Sequence, residues 1–112
     1  EPLSLEQLSA HIGERLERAP LAVGPSDRTI RRIAWCSGGA QGYFETAAAL
    51  GVDAYLTGEA SEQNVHFARE SGIAFIAAGH HATERYGIQA LGEHLAAHFG
   101  LDHAFIEIPN PI

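Results

Sequence analysis

The sequence predicts an α/β fold built on a mainly parallel sheet with helices on both faces. Three observations carry this. Short apolar runs alternate with longer stretches whose apolar residues recur at helical spacing, which implies crossover connections. The strand-like runs Arg32–Cys36, Asp53–Leu56 and Ile73–Ala77 are apolar without strict alternation, as expected of strands covered on both sides. Three helical stretches end at a glycine, Gly51, Gly72 and Gly100, the usual C-terminal stop.

The elements follow in the order αββαβαβαβ. Ser4 and Gln7 form a capping-box pair, and Leu5, Leu8, Ile12 and Leu16 continue at helical spacing until Pro20 forbids further helix. Leu21–Val23 is a short strand, followed by turn composition at Gly24–Asp27. Arg32–Cys36 is the second strand, and Ser37–Gly42 is a glycine-rich loop. Helices at Tyr43–Leu50, Ser61–Ser71 and about His81–Phe99 then alternate with strands at Asp53–Leu56, Ile73–Ala77 and Ala104–Ile108. Pro109 closes the last strand.

A length of 112 residues suits one α/β domain over 1–112. Glu1 in place of methionine is expected of the C-terminal fragment of a longer protein. The net charge of −7, with seven arginines and no lysine, argues against nucleic acid, which requires a basic face. No apolar run nears the roughly 18 residues of a membrane span, so no membrane partner is expected. A lone cysteine provides no disulfide framework, and a cytoplasmic setting is expected.

In a parallel sheet, ligands gather at the carboxyl ends of the strands. The loop Ser37–Gly42 is read either as a tight strand-to-helix turn or as a substrate-contacting loop. It lacks the Gly-Lys-Ser/Thr ending of a P-loop and the spacing of a dinucleotide fingerprint. Cys36, at a strand end, is read as buried and inert in preference to nucleophilic. Glu59 follows a strand and a glycine, and His66 lies two helical turns on. The two share a face if the helix begins at Glu59. The sharpest pattern is Gly79-His-His-Ala-Thr-Glu84. His80 and Glu84 are four residues apart on one helical face, and imidazole plus carboxylate suits Zn, Fe, Mn or Ni. The helix N-terminus is expected to keep His80 neutral. His94 and His98 share that spacing but lie late in the helix among Ala and Leu, and are read as solvated or interface residues.

Thr57-Gly-Glu59 with His66, Ala78-Gly-His-His-Ala-Thr-Glu84, the ending Ile106-Glu-Ile-Pro-Asn-Pro111 and the Cys36-x-Gly-Gly loop together resemble the C-terminal half of the Nif-three-like dinuclear-metal hexameric family. Members of that family are often named GTP cyclohydrolase I type 2 homologues. The resemblance runs from Leu3 onward. It implies the C-terminal half of the Nif-three-like fold and a centre of two divalent metal ions. His80 and Glu84 fall on metal-ligand positions, the glutamate bridging both ions, while Glu59 and His66 fall on positions lining the cavity as catalytic candidates. The remaining ligands, a His-His pair and an Asp, are implied to come from an N-terminal half that these residues do not include. His80-His81 is not that pair. The assembly implied is a homo-hexamer. The activity implied is a metal-dependent, cyclohydrolase-like hydrolase; the alternative is a non-catalytic metal-binding oligomeric scaffold or interaction protein.

Overall fold

The computed structural model describes all residues from Glu1 to Ile112. The chain runs β1 (Leu3–Ser4), α1 (Leu5–Leu16), β2 (Leu21–Val23), β3 (Thr29–Ile30), β4 (Ile33–Cys36), a 3₁₀ turn at Gln41–Tyr43, α2 (Phe44–Ala49), β5 (Ala54–Thr57), α3 (Glu62–Ser71), β6 (Ala74–Ala77) and α4 (His80–Phe99). Four strands form one sheet in the order β2-β6-β5-β4, with β4, β5 and β6 parallel. The short strand expected at Leu21–Val23 is present, but it lies antiparallel on the outer side of β6. β1 and β3 form a separate two-stranded antiparallel pair that sequence reasoning did not anticipate, since two residues are too few for a periodicity to register.

Period-two alternation along β5 and β6 sends side chains to two cores. Ala54, Ala74, Ile76 and Ala78 pack with Ile30 and with Leu5 and Ile12 of α1. Tyr55, Phe75 and Ala77 pack on the other face with Phe44 and Ala47 of α2, Val52, and Ala68 of α3. Phe44 centres the second core, stacked 5.7 Å from Tyr55 and edge-on at 4.8 Å to Phe67.

The helix ends have local causes. Ser4 and Gln7 form the anticipated capping box, and Ser61 with Asn64 forms a second one. α1 stops four residues before Pro20, because Glu17 turns left-handed at φ 54° and caps it. Gly72 and Gly100 end α3 and α4 in the same region at φ 69° and 65°, where a glycine adds no Cβ strain.

Two expectations are corrected. Ala104–Ile108 is not a strand. It runs back along α4, held by Glu107 against His81 and Arg85, and pairs with no strand. Cys36 is exposed rather than buried, because β4 is an edge strand and nothing covers its outer side.

Candidate metal site at the carboxyl edge of the sheet

The parallel register aligns Cys36 with Thr57 and Thr57 with Ala77. The chain therefore leaves β4, β5 and β6 at one edge, and three loops meet there. Thr57, fully buried, joins two of them: its hydroxyl donates to Gly38 O at 3.1 Å and accepts from Ala40 N at 3.2 Å. Gly58 N donates to the same Gly38 carbonyl at 2.9 Å, and Gly79 N donates to Gly58 O at 2.8 Å. The third loop is tied to the first through Thr83, whose hydroxyl accepts from Gly38 N at 3.0 Å and donates to Gly79 O at 2.8 Å. Tyr55 donates to Ala40 O at 2.8 Å, and burial pushes its phenol up from the usual value.

This lacing leaves no room at two glycines. A Cβ on Gly58 would stand 2.6 Å from Gly38 O and 2.8 Å from the His80 Cα. On Gly38, itself at φ 68°, a Cβ would collide with the Glu84 carboxylate. The Ser37–Gly42 loop is thus the wall of a cradle around the first turn of α4.

Within that cradle three expected residues come together. His80 Nδ1 lies 2.5 Å from Glu59 Oε1, and His80 Nε2 lies 3.0 Å from Glu84 Oε2. The imidazole stands between two carboxylates, half-exposed like both of them. Gln41 braces the first of these, its amide 3.4 Å from Glu59 Oε2, and Asn64 fixes Gln41 by donating to its backbone carbonyl at 3.0 Å. The hydrogen bond to Glu59, with the charges of both glutamates, raises the His80 pKa above the usual 6.5. The helix N-terminus is therefore not the dominant influence on the ring: the two carboxylates in contact with it act in the opposite direction.

His66 stands apart. It is exposed in the middle of α3. α3 begins at Glu62, so Glu59 sits in the loop before it and the helical face expected to join Glu59 to His66 does not exist. Glu59 reaches His80 instead. No three His, Cys, Asp or Glu side chains surround a common point as ligands of one ion would. The trio is linear, with the ring in the middle. The residues that sequence reasoning missed are Thr57, Thr83, Gln41 and Asn64. Of these only Thr57 and Thr83 carried a signal, each lying close to a glycine at a strand's end.

On its other side the cluster opens onto a groove of about 810 Å³. His80 and Glu84 stand at one end, and Ile88 of α4 with Phe105, Ile106 and Ile108 of the returning tail form its walls.

The most similar relatives include proteins named GTP cyclohydrolase 1 type 2 homolog. Those from Pseudomonas aeruginosa and Allochromatium vinosum are 60% and 58% identical over 111 residues, which is 99% of this chain and 44% of theirs. The chain thus spans less than half the length of these relatives. Among solved structures it resembles protein YbgI, of unknown function, at TM-score 0.94 and 50% identity, covering all of this chain and 46% of that one. TTHA1606 from Thermus thermophilus is similar at TM-score 0.87 and 29% identity, over all of this chain and 45% of that one. Residues 1–111 match the family described as Duf34/NIF3 (NGG1p interacting factor 3), and the chain belongs to that family.

Proposed function

We propose that His80 and Glu84 supply two ligands of a dinuclear divalent-metal centre in a metal-dependent hydrolase. The observation that carries this reading is the 3.0 Å between His80 Nε2 and Glu84 Oε2. Two donors each about 2.1 Å from one ion, at right angles to one another, lie about 3.0 Å apart. Imidazole and carboxylate suit Zn, Fe, Mn or Ni, and by the family resemblance Glu84 would bridge both ions. Bound metal lowers the pKa of water and polarises the bond to be broken. The chain's own part is to hold the ring and carboxylate on one rigid helical turn, inside a cradle closed by Gly38 and Gly58.

Two protein ligands are too few for tight retention, so the rest of the set comes from segments that the longer relatives possess beyond the span matched here. The relatives' name supports cyclohydrolase-like ring opening of a nucleotide-like substrate. Nothing in the cluster selects a triphosphate: Arg85, the arginine beside it, is committed to Leu16 O and Glu107. The exposed apolar residues of α4 support work as a homo-oligomer, a hexamer by the family resemblance. A reducing cytoplasm suits the unpaired, exposed Cys36.

Calorimetric titration with Zn²⁺ and Mn²⁺ tests the reading. The 112 residues alone should bind weakly, and a full-length protein carrying them should bind tightly. His80→Ala or Glu84→Ala in the full-length protein should abolish tight binding. Stoichiometric nanomolar binding by the 112 residues alone would mean that they hold a complete site with other ligands.

A further inference from the structure

We propose that Glu59 is a positioning residue that fixes the tautomer and the direction of the His80 ring, and is not itself a metal ligand. The metal role of Nε2 rests on the function proposed above; the holding of the ring does not.

The geometry separates the two carboxylates. The nitrogens of an imidazole point away from each other, so a carboxylate bonded to Nδ1 stands on the far side of the ring from anything bonded to Nε2. Glu59 occupies the Nδ1 side at 2.5 Å and Glu84 the Nε2 side at 3.0 Å. An ion between Nε2 and Glu84 is therefore out of reach of Glu59, in line with the absence of a three-residue convergence. Both oxygens of Glu59 are also engaged, Oε1 by the ring and Oε2 by the Gln41 amide. Such a carboxylate accepts the Nδ1 proton and leaves the Nε2 lone pair bare, facing Glu84.

The sequence Thr57-Gly-Glu59 serves that contact. Thr57 anchors the strand end, and Gly58 lets the loop pass against His80 where a larger residue would strike Gly38 O. Glu59 then arrives beside Nδ1, with Asn64 and Gln41 stacked behind it as a brace. Glu59 is also the less exposed carboxylate, its side chain 33% accessible against 51% for Glu84, so its hold on the ring competes less with water.

Long-range ¹H–¹⁵N correlation on the metal-free full chain, at a pH above the titration of the imidazole, reads the tautomer directly. His80 should carry its proton on Nδ1, the less common form of free histidine. In Glu59→Ala it should revert to Nε2–H. Glu59→Gln keeps an acceptor oxygen and should retain Nδ1–H. With zinc ion alone as probe and the full-length protein as carrier, affinity should fall about 10–100-fold in Glu59→Ala and less in Glu59→Gln. That graded response would not arise if Glu59 only filled space. Wild-type His80 protonated on Nε2, which needs no variant to observe, would overturn the proposal. So would unchanged zinc affinity in Glu59→Ala. Absence of zinc uptake by the wild-type full-length protein, with Nδ1–H intact and lost in Glu59→Ala, would sink the metal function while leaving the positioning role in place.

Discussion

Two glycines illustrate how much a single methyl group decides at the residue scale. Gly58 is buried where three loops cross, and its missing side chain is what lets β5 deliver Glu59 to His80. Backbone atoms stand 2.6 and 2.8 Å from where a Cβ would sit, and backbone cannot swing aside as a flexible side chain can. Gly58→Ala should therefore cost about 1–3 kcal/mol in urea unfolding, by forced separation of the loops. Gly87, in the middle of α4, has open space around it. Gly87→Ala should stabilise by about 0.5–1 kcal/mol through helix propensity. If Gly58→Ala is as harmless as Gly87→Ala, the cradle is not closed as described. At this scale the sequence was informative only over short separations. The His80–Glu84 pair and the Ser4–Gln7 cap were legible from helical spacing. The Glu59–His80 contact joins residues 21 apart and depends on sheet register, which no local pattern records. The direction of the shift at His80 was illegible for the same reason, because the carboxylate with the largest effect on it comes from another loop.

At the scale of elements, the sheet edge that builds the site is anchored by Asp53. Its carboxylate accepts from the amides of Arg31 and Arg32 at 2.8 and 2.9 Å, which ties the start of β5 to the chain entering β4. These two backbone bonds are the main cause that holds its pKa below the usual 3.8. A depressed carboxylate contributes stability above its unfolded pKa and loses that contribution as pH falls through the folded value. Asp53 should thus help stabilise the fold at neutral pH and down to about pH 4, and stop doing so in stronger acid. Asp53→Asn should cost roughly 1 kcal/mol at pH 7 and flatten the acid limb of the stability curve. A variant whose stability stays parallel to wild type between pH 6 and pH 2 would show that the bonds do not matter. The order of the elements was readable because amphipathic and apolar runs differ in period. Strand direction was not: Leu21–Val23 has no feature that distinguishes an antiparallel from a parallel neighbour. The apolar stretch Ala104–Ile108 has strand composition, but a strand also requires a free edge beside it, and pairing is a property of the whole sheet.

At the scale of the molecule, α4 raises the question of what covers it. The helix has 20 residues, yet only Ala82 is buried, and the chain measures 51 × 30 × 25 Å. Ile88, Leu91, Leu95 and Phe99 are exposed at spacings of three and four residues, so they lie along one stripe. Ile106 and Ile108 of the returning tail add to it at 78% and 71% exposure. A contiguous apolar stripe of this length is costly to leave in water and marks a surface that associates. The first turns of α4 are different: Arg85 donates to Leu16 O and Tyr86 to Arg15 O, which fixes the site end of the helix to α1. The site is therefore held by the fold, and the distal half of α4 by whatever the stripe meets. The proposed homo-oligomer makes this testable. Sedimentation of the wild-type chain should show concentration-dependent association. Leu91→Glu, which places a charge in the centre of the stripe, should weaken it at least tenfold, since full burial of a leucine contributes about 1.5–3 kcal/mol. Hydrogen exchange should follow the same division, with slow amides near Ala82 in both proteins and faster ones near Leu95 in the variant. A monomeric wild type with uniformly protected α4 would show that the stripe needs no partner, and would remove the physical argument for the oligomer.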